Sequence, residues 1–179
     1  MNKLKPFYLH SAKLDNYADI NQQLLEGLDL YINDETTRKS HEFFGRYENI
    51  YISSEKIPTI SSILHAAKKF SAEILNCSDS DLKAGLWFNV MNPGDKTTMH
   101  KHDDDDELLS AVYYVKVAEN SGMLHLEKSP INALVTPEEG MFVFFPPNMP
   151  HDVTENLSGQ SRVSLGINIG PVNPDDFDD

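Results

Sequence analysis

Cysteine is almost missing from this chain of 179 residues, with Cys77 the single example. One thiol cannot close an internal disulfide, so a reducing cytoplasm is the expected location. No base is patterned beside Cys77, which therefore reads as structural and not as a nucleophile. Long apolar runs are missing too. No stretch approaches the length of a transmembrane helix, and the start, MNKLKPFYLHSAKLDNYADI, lacks the apolar core of a signal peptide, so no membrane partner is expected. Positive charge is scarce: 15 Lys and Arg stand against 28 Asp and Glu, for a formal charge of -13. Phosphate binding needs a basic face, so nucleic acid is excluded as the main partner. The chain also has no internal repeat, no domain linker and no low-complexity tract beyond the acidic run Asp103, Asp104, Asp105 and Asp106.

What is present is a globular composition, 40% hydrophobic and 9% aromatic. The length suits one domain over residues 1–179, able to bury roughly 70% of its unfolded surface. Within it, residues 1–83 read as support, 84–170 as a β core and 171–179 as an acidic tail. The support comprises a strand at 5–10, a helix at 17–32 capped by Asp15, a polar break at 33–40, a strand at 47–53 and a second helix opened by Pro58. Ile20, Leu24, Leu28 and Ile32 stripe the first helix; Ile60, Ile63, Leu64, Ala67, Phe70 and Ile74 stripe the second. From Gly85 the period changes to two. Strands are expected at 86–91, 98–104, 109–117, 123–127, 133–135, 141–145, 151–155 and 162–169, separated by Pro/Gly/Asn/Ser turns. Short strands with short connections predict a mainly β fold, a double-sheet jelly roll with two helices on one face.

The chemistry concentrates in NPGDKTTMHKHDDDDELLSAVYYV, residues 92–115. In a strand, positions i and i+2 share a face, so His100 and His102 project together, about 7 Å apart. His151, after the apolar run 141–145, offers a third imidazole, and three ligands on a small barrel leave metal positions open for chemistry. Asp104 lies on the same strand face, so His102 with Asp104 is an alternative pair. On the last strand Arg162, Ser164, Gly166 and Asn168 fall on one face, with Val163, Leu165, Ile167 and Ile169 on the other. A polar inner face needs a polar occupant, and a guanidinium there suits a bidentate carboxylate, with the Ser164 hydroxyl beside it. His10, His41 and His65 lack ligand spacing, and His125 reads as packing or surface.

Gly94, His100 and His102, followed by VYYV, SGMLHLEKS, PEEGMFVFFPPNMPHDV and SRVSLGINI, resemble the 2-oxoglutarate/Fe(II)-dependent oxygenases. The nearest group is that of the HxH-type oxygenases of bacteria and phages, and the resemblance covers residues 87–169. It implies a double-stranded β-helix, Fe(II) held by His100, His102 and His151, and 2-oxoglutarate bound through Arg162 and Ser164 in an Arg-x-Ser arrangement. It further places Tyr114 near the same carboxylate and lets Asn89 reach co-substrate or substrate. The implied activity is a dioxygenase, hydroxylating a protein side chain or small metabolite while 2-oxoglutarate becomes succinate and CO2. Its implied partners are O2 and a small-molecule or peptide substrate, with a homodimer allowed. The pattern departs from the wider family, where Asp or Glu stands at the position of His102.

Cupins share part of the spacing, with Glu107 as a fourth ligand, Gly140, Pro146 and His151 in a second motif, but Asn148 and Tyr114 where glycines belong. A cupin enzyme or binder would use the metal without 2-oxoglutarate and needs no inward arginine. A non-enzymatic acidic domain fits the charge but leaves the consistent strand spacings unexplained. The acidic run reads either as a solvated loop or as a border of the site that attracts a cationic substrate.

Overall fold

The computed structural model describes residues 9–101 and 106–173. Its elements follow in the order β1 (His10–Lys13), α1 (Tyr17–Tyr31), β2 (Arg38–Phe43), β3 (Arg46–Tyr51), α2 (Thr59–Leu75), β4 (Leu82–Met91), β5 (Leu109–Lys116), β6 (Leu124–Lys128), β7 (Ile131–Val135), β8 (Met141–Phe145), β9 (His151–Val153) and β10 (Arg162–Pro171), with one 3-10 turn at Asp79–Asp81. Two antiparallel sheets result. The larger has the order β1-β8-β5-β10-β4-β3-β2, and the smaller β7-β6-β9. This is the mainly β, double-sheet jelly roll that the strand periodicity predicts, the double-stranded β-helix that the resemblance implies, with both helices packed on the large sheet.

Alternation along the strands divides the interior in two. Val163, Leu165, Ile167 and Ile169 of β10, with Phe142 and Phe144 of β8, face the helices. There they meet Leu24 and Leu28 of α1 and Ile60, Ile63 and Ala67 of α2. Full burial of each such aliphatic side chain is worth about 1.5–3 kcal/mol, which makes this layer the main source of cohesion. Val143 and Phe145 of β8 point the other way, joining Tyr114, Leu124, Leu126 and Met149 between the sheets. Asn21 ties α1 to β5: its amide donates to the Val115 carbonyl at 2.7 Å and accepts from the Tyr113 hydroxyl at 2.7 Å. Every polar atom of this buried side chain is thereby used.

Several expectations are corrected. The first strand starts at His10, and residues 5–8 of its expected span lie outside the described residues. Asn16, not Asp15, precedes α1, and it makes no side-chain capping bond. The polar break at 33–40 gives way to β2 from Arg38 onward. No strand forms at 98–101; His100 makes one isolated bridge instead, and 102–105 lie outside the described residues. The tail beyond residue 173 lies outside them as well. No helix among the described residues is long and apolar enough to cross a membrane.

Candidate metal and co-substrate site

His100 and His151 stand directly opposite each other. The His100 N–H donates to the His151 carbonyl at 3.0 Å, and the His151 N–H returns a bond to the His100 carbonyl at 2.8 Å. Opposed residues in such a pair send their side chains to one face. The two rings accordingly lie 4.3 Å apart between centroids, inclined at 56°. The same local device orients each ring. Nδ1–H of His100 donates to the Thr98 carbonyl at 2.8 Å, and Nδ1–H of His151 to the Met149 carbonyl at 2.8 Å. A carbonyl only accepts, so both rings are fixed in the Nδ1–H tautomer with the lone pair on Nε2, the form that ligates a cation. Phe145 packs its ring 4.7 Å from His151.

The turn that delivers His100 is held from two sides. Gly94 sits at φ +86, a conformation glycine adopts without strain, and its N–H donates to the Asn156 carbonyl at 2.8 Å. Asn156 is 1% exposed, and its amide reaches the Met91 carbonyl at 2.9 Å. From the opposite side comes Arg46 of β3, which donates to the carbonyls of Lys96 at 2.9 Å and Val90 at 3.1 Å. Its guanidinium also lies 3.5 Å from the Glu48 carboxylate and 3.7 Å from that of Asp95. Burial pulls the Arg46 pKa down, and the two carboxylates oppose that shift.

Arg162 has no such company. It is 1% exposed, the largest fully buried side chain among the described residues. One terminal nitrogen meets the thioether of Met91 at 3.1 Å, and the Tyr114 ring lies 5.3 Å from the guanidinium carbon. Nε and the other terminal nitrogen have no hydrogen-bond partner, and neither does the buried Tyr114 hydroxyl. Burial lowers the Arg162 pKa, offset by the Tyr114 oxygen; burial raises that of Tyr114, offset by the Arg162 charge. A buried cation with empty donors is costly, and the cost disappears when an anion fills them.

The β10 inner face leads from Arg162 into a cavity of about 490 Å³ lined by His100, His151, Asn89 and Ser164 among others. Arg162 and Tyr114 are not among its lining; they continue the same face beyond Ser164, which pairs with Tyr114 of β5 and Asn89 of β4. Gly166, the next residue on this face, faces Trp87, whose indole lies 2.4 Å from where a Cβ would stand. Tyr51 follows at 6.4 Å from Trp87, and Arg38 covers Tyr51 at 3.7 Å.

Residues 86–170 match the family model of the 2OG-Fe(II) oxygenase superfamily. This stretch belongs to that superfamily. The oxygenase region begins inside β4 and ends inside β10, so both helices and the β2–β3 hairpin lie outside it. No curated protein sequence matches the chain. Among solved structures, the prolyl-4-hydroxylase of Pseudomonas putida is 16% identical, with a TM-score of 0.64 over 92% of this chain and 88% of that one. The viral collagen prolyl hydroxylase of Paramecium Bursaria Chlorella virus-1 is 15% identical, with a TM-score of 0.62 over 97% of both. The carbocyclase SnoK from nogalamycin biosynthesis is 13% identical, with a TM-score of 0.70 over 91% of this chain and 79% of that one. At these identities the likeness is one of fold.

Of the residues singled out in the oxygenase sequence, His100, His151, Asn89 and Ser164 meet at the cavity, and Arg162 and Tyr114 lie just behind it. His102 and Asp104 lie outside the described residues. Glu107 accepts from the Ser110 hydroxyl at 2.6 Å. No three His, Cys, Asp or Glu side chains among the described residues are grouped to hold a metal, and His102, which both the oxygenase set and the cupin set of His100, His102, Glu107 and His151 require, lies outside them. His125 lies on the small sheet, 2.9 Å from Asp152. Sequence reasoning passed over His41, Glu48 and Tyr51, which line the cavity, and Arg46 beside them. His41 carried no ligand spacing; the positive φ of 56 that turns it into the wall leaves no mark on residue type.

Proposed function

We propose that this chain is an Fe(II)- and 2-oxoglutarate-dependent dioxygenase. It would hydroxylate a C–H bond of a small metabolite or protein side chain, with 2-oxoglutarate and O2 giving succinate and CO2. The observation that supports this reading is the buried guanidinium of Arg162, with two nitrogens lacking partners and a phenol lacking a partner beside it. A distal carboxylate fits that donor set. It would accept two charge-assisted hydrogen bonds from Arg162, with the hydroxyls of Tyr114 and Ser164 flanking it and Asn89 at the cavity wall. The donor chemistry also fits a divalent metal. His100 and His151 keep their Nε2 lone pairs by donating at Nδ1, and His102 would be the third ligand. When bound, iron and 2-oxoglutarate supply the oxidative chemistry; the protein holds them, orients them and keeps water from the inner end. A cupin that works without 2-oxoglutarate gives Arg162 no counter-ion. The same reading takes the chain as one domain, working on O2 and a small-molecule or peptide substrate, alone or as a homodimer.

The test is an anaerobic titration of the Fe(II)–2-oxoglutarate charge-transfer band. Arg162→Ala should weaken 2-oxoglutarate binding by about two orders of magnitude, since each bond to a charged group is worth about 1.5–3 kcal/mol. Arg162→Lys should recover only part, because an ammonium lacks the planar fork. In Asp104→Asn the band should persist and in His100→Ala it should vanish with the iron; the reverse of both would move the ligand pair to His102 and Asp104. Wild-type protein that binds Fe(II) but shows no band at millimolar 2-oxoglutarate would overturn the reading.

A further inference from the structure

The oxygenase region does not contain everything that shapes its own metal-binding turn. We infer that Arg46, on a hairpin outside that region, is a positioning residue that sets His100 for the metal. The inference rests on the metal reading above. His100 lies in no ladder: apart from its bridge to His151, the approach to it from Asn92 is irregular backbone. Such a segment takes its shape from whatever anchors it, and on one side those anchors converge on Arg46. The guanidinium donates to the Lys96 carbonyl at 2.9 Å, four residues before His100. It lies 3.7 Å from Asp95, whose carboxylate accepts the Asn92 N–H at 2.7 Å and so closes the turn. It also lies 3.5 Å from Glu48, which accepts the Thr98 N–H at 3.3 Å. Thr98 in turn offers its carbonyl to Nδ1–H of His100 at 2.8 Å. A chain of polar contacts thus runs from Arg46 through Glu48 and Thr98 to the imidazole.

The other side of the guanidinium grips the sheet. It donates to the Val90 carbonyl at 3.1 Å and reaches the Asn89 amide oxygen at 3.5 Å. Arg46 therefore spans the gap between the end of β4, a rigid central strand, and the turn that carries the ligand. Planarity matters: donors pointing in fixed directions hold two carbonyls and two carboxylates at once, which an ammonium cannot do. Groups that orient a metal ligand from behind commonly change metal affinity 10–100-fold when lost.

The experiment measures Co(II) binding to the metal-free full chain, by the intensity and position of the visible d–d bands, in wild type, Arg46→Ala, Arg46→Lys and Glu48→Ala. Thermal melts of the metal-free proteins show which variants are folded at the titration temperature. Arg46→Ala should weaken Co(II) about 10-fold or more and alter the band shape, with Arg46→Lys in between. Glu48→Ala, which removes the link to Thr98 and one of the two carboxylates beside Arg46 but leaves the Lys96 and Val90 carbonyl contacts, should weaken it less but still measurably. If Arg46→Ala does not fold, Arg46→Lys and Glu48→Ala decide. Folded variants that bind Co(II) within twofold of wild type, with unchanged bands, would overturn the inference and leave Arg46 as an ordinary structural contact. Wild type that binds no Co(II) would instead sink the metal reading, and this inference with it.

Discussion

Two arginines of this protein lie within one network of strands and show opposite ways of burying a guanidinium. Arg46, with its side chain 13% exposed, meets two carbonyls and two carboxylates. Arg162, 1% exposed, meets a thioether and the edge of a phenol's influence, with two nitrogens unused. Desolvation acts on both, and both pKa values fall because of it. The difference lies in what opposes the desolvation. For Arg46 it is the protein's own carboxylates. For Arg162 no ion pair exists among the described residues, and only the Tyr114 oxygen opposes it. On the function proposed above, the satisfied guanidinium holds structure in place and the unsatisfied one awaits a ligand's charge.

Exchanging each for methionine, which keeps length and removes charge, should separate the two. Arg46→Met leaves Glu48 buried without its cation and should destabilise the metal-free protein by about 3–5 kcal/mol, read from urea unfolding. Arg162→Met should act in the opposite sense, stabilising the metal-free protein by about 1–2 kcal/mol because an uncompensated charge is replaced by apolar volume. On the function proposed above, wild type should melt higher with 2-oxoglutarate and Mn(II), and that variant should lose the rise. Equal signs for the two substitutions would break the comparison. A third arginine sharpens it at the small end. Arg38 is exposed and stacks 3.7 Å over Tyr51, so Arg38→Ala should cost only about 0.5–1 kcal/mol by the same measurement.

The division of β10 into a polar and an apolar face was legible because a period of two survives any packing detail. The helical stripes were legible for a similar reason. β2 was not. Its sequence, RKSHEF, lies at the sheet edge with no buried position, so no apolar alternation announced it. The segment before His100 alternates like a strand, yet the Thr98 N–H goes to the Glu48 side chain, and the ladder is reduced to one bridge. Arg46 could not be found at all. Two of its partners are backbone carbonyls more than forty residues away in the chain (Val90 and Lys96), and any residue type supplies a carbonyl. Asp15 looked like a cap because its type suits the role, but α1 begins one residue later, after Asn16. Residue type reveals which groups need partners; it does not reveal partners that lie in the main chain.

Gly166 gives the cavity a built-in gauge. The indole of Trp87 already occupies the place where any larger residue would put its first side-chain carbon, 2.4 Å away. The two residues face each other across β10 and β4, so the register of these strands sets the contact. The breadth of the chamber on this side is therefore set by main chain and one flat ring, not by an adjustable side chain. Any lineage, natural or engineered, that turned this scaffold toward bulkier compounds would have to surrender the tryptophan first, because enlarging the glycine could only narrow the room.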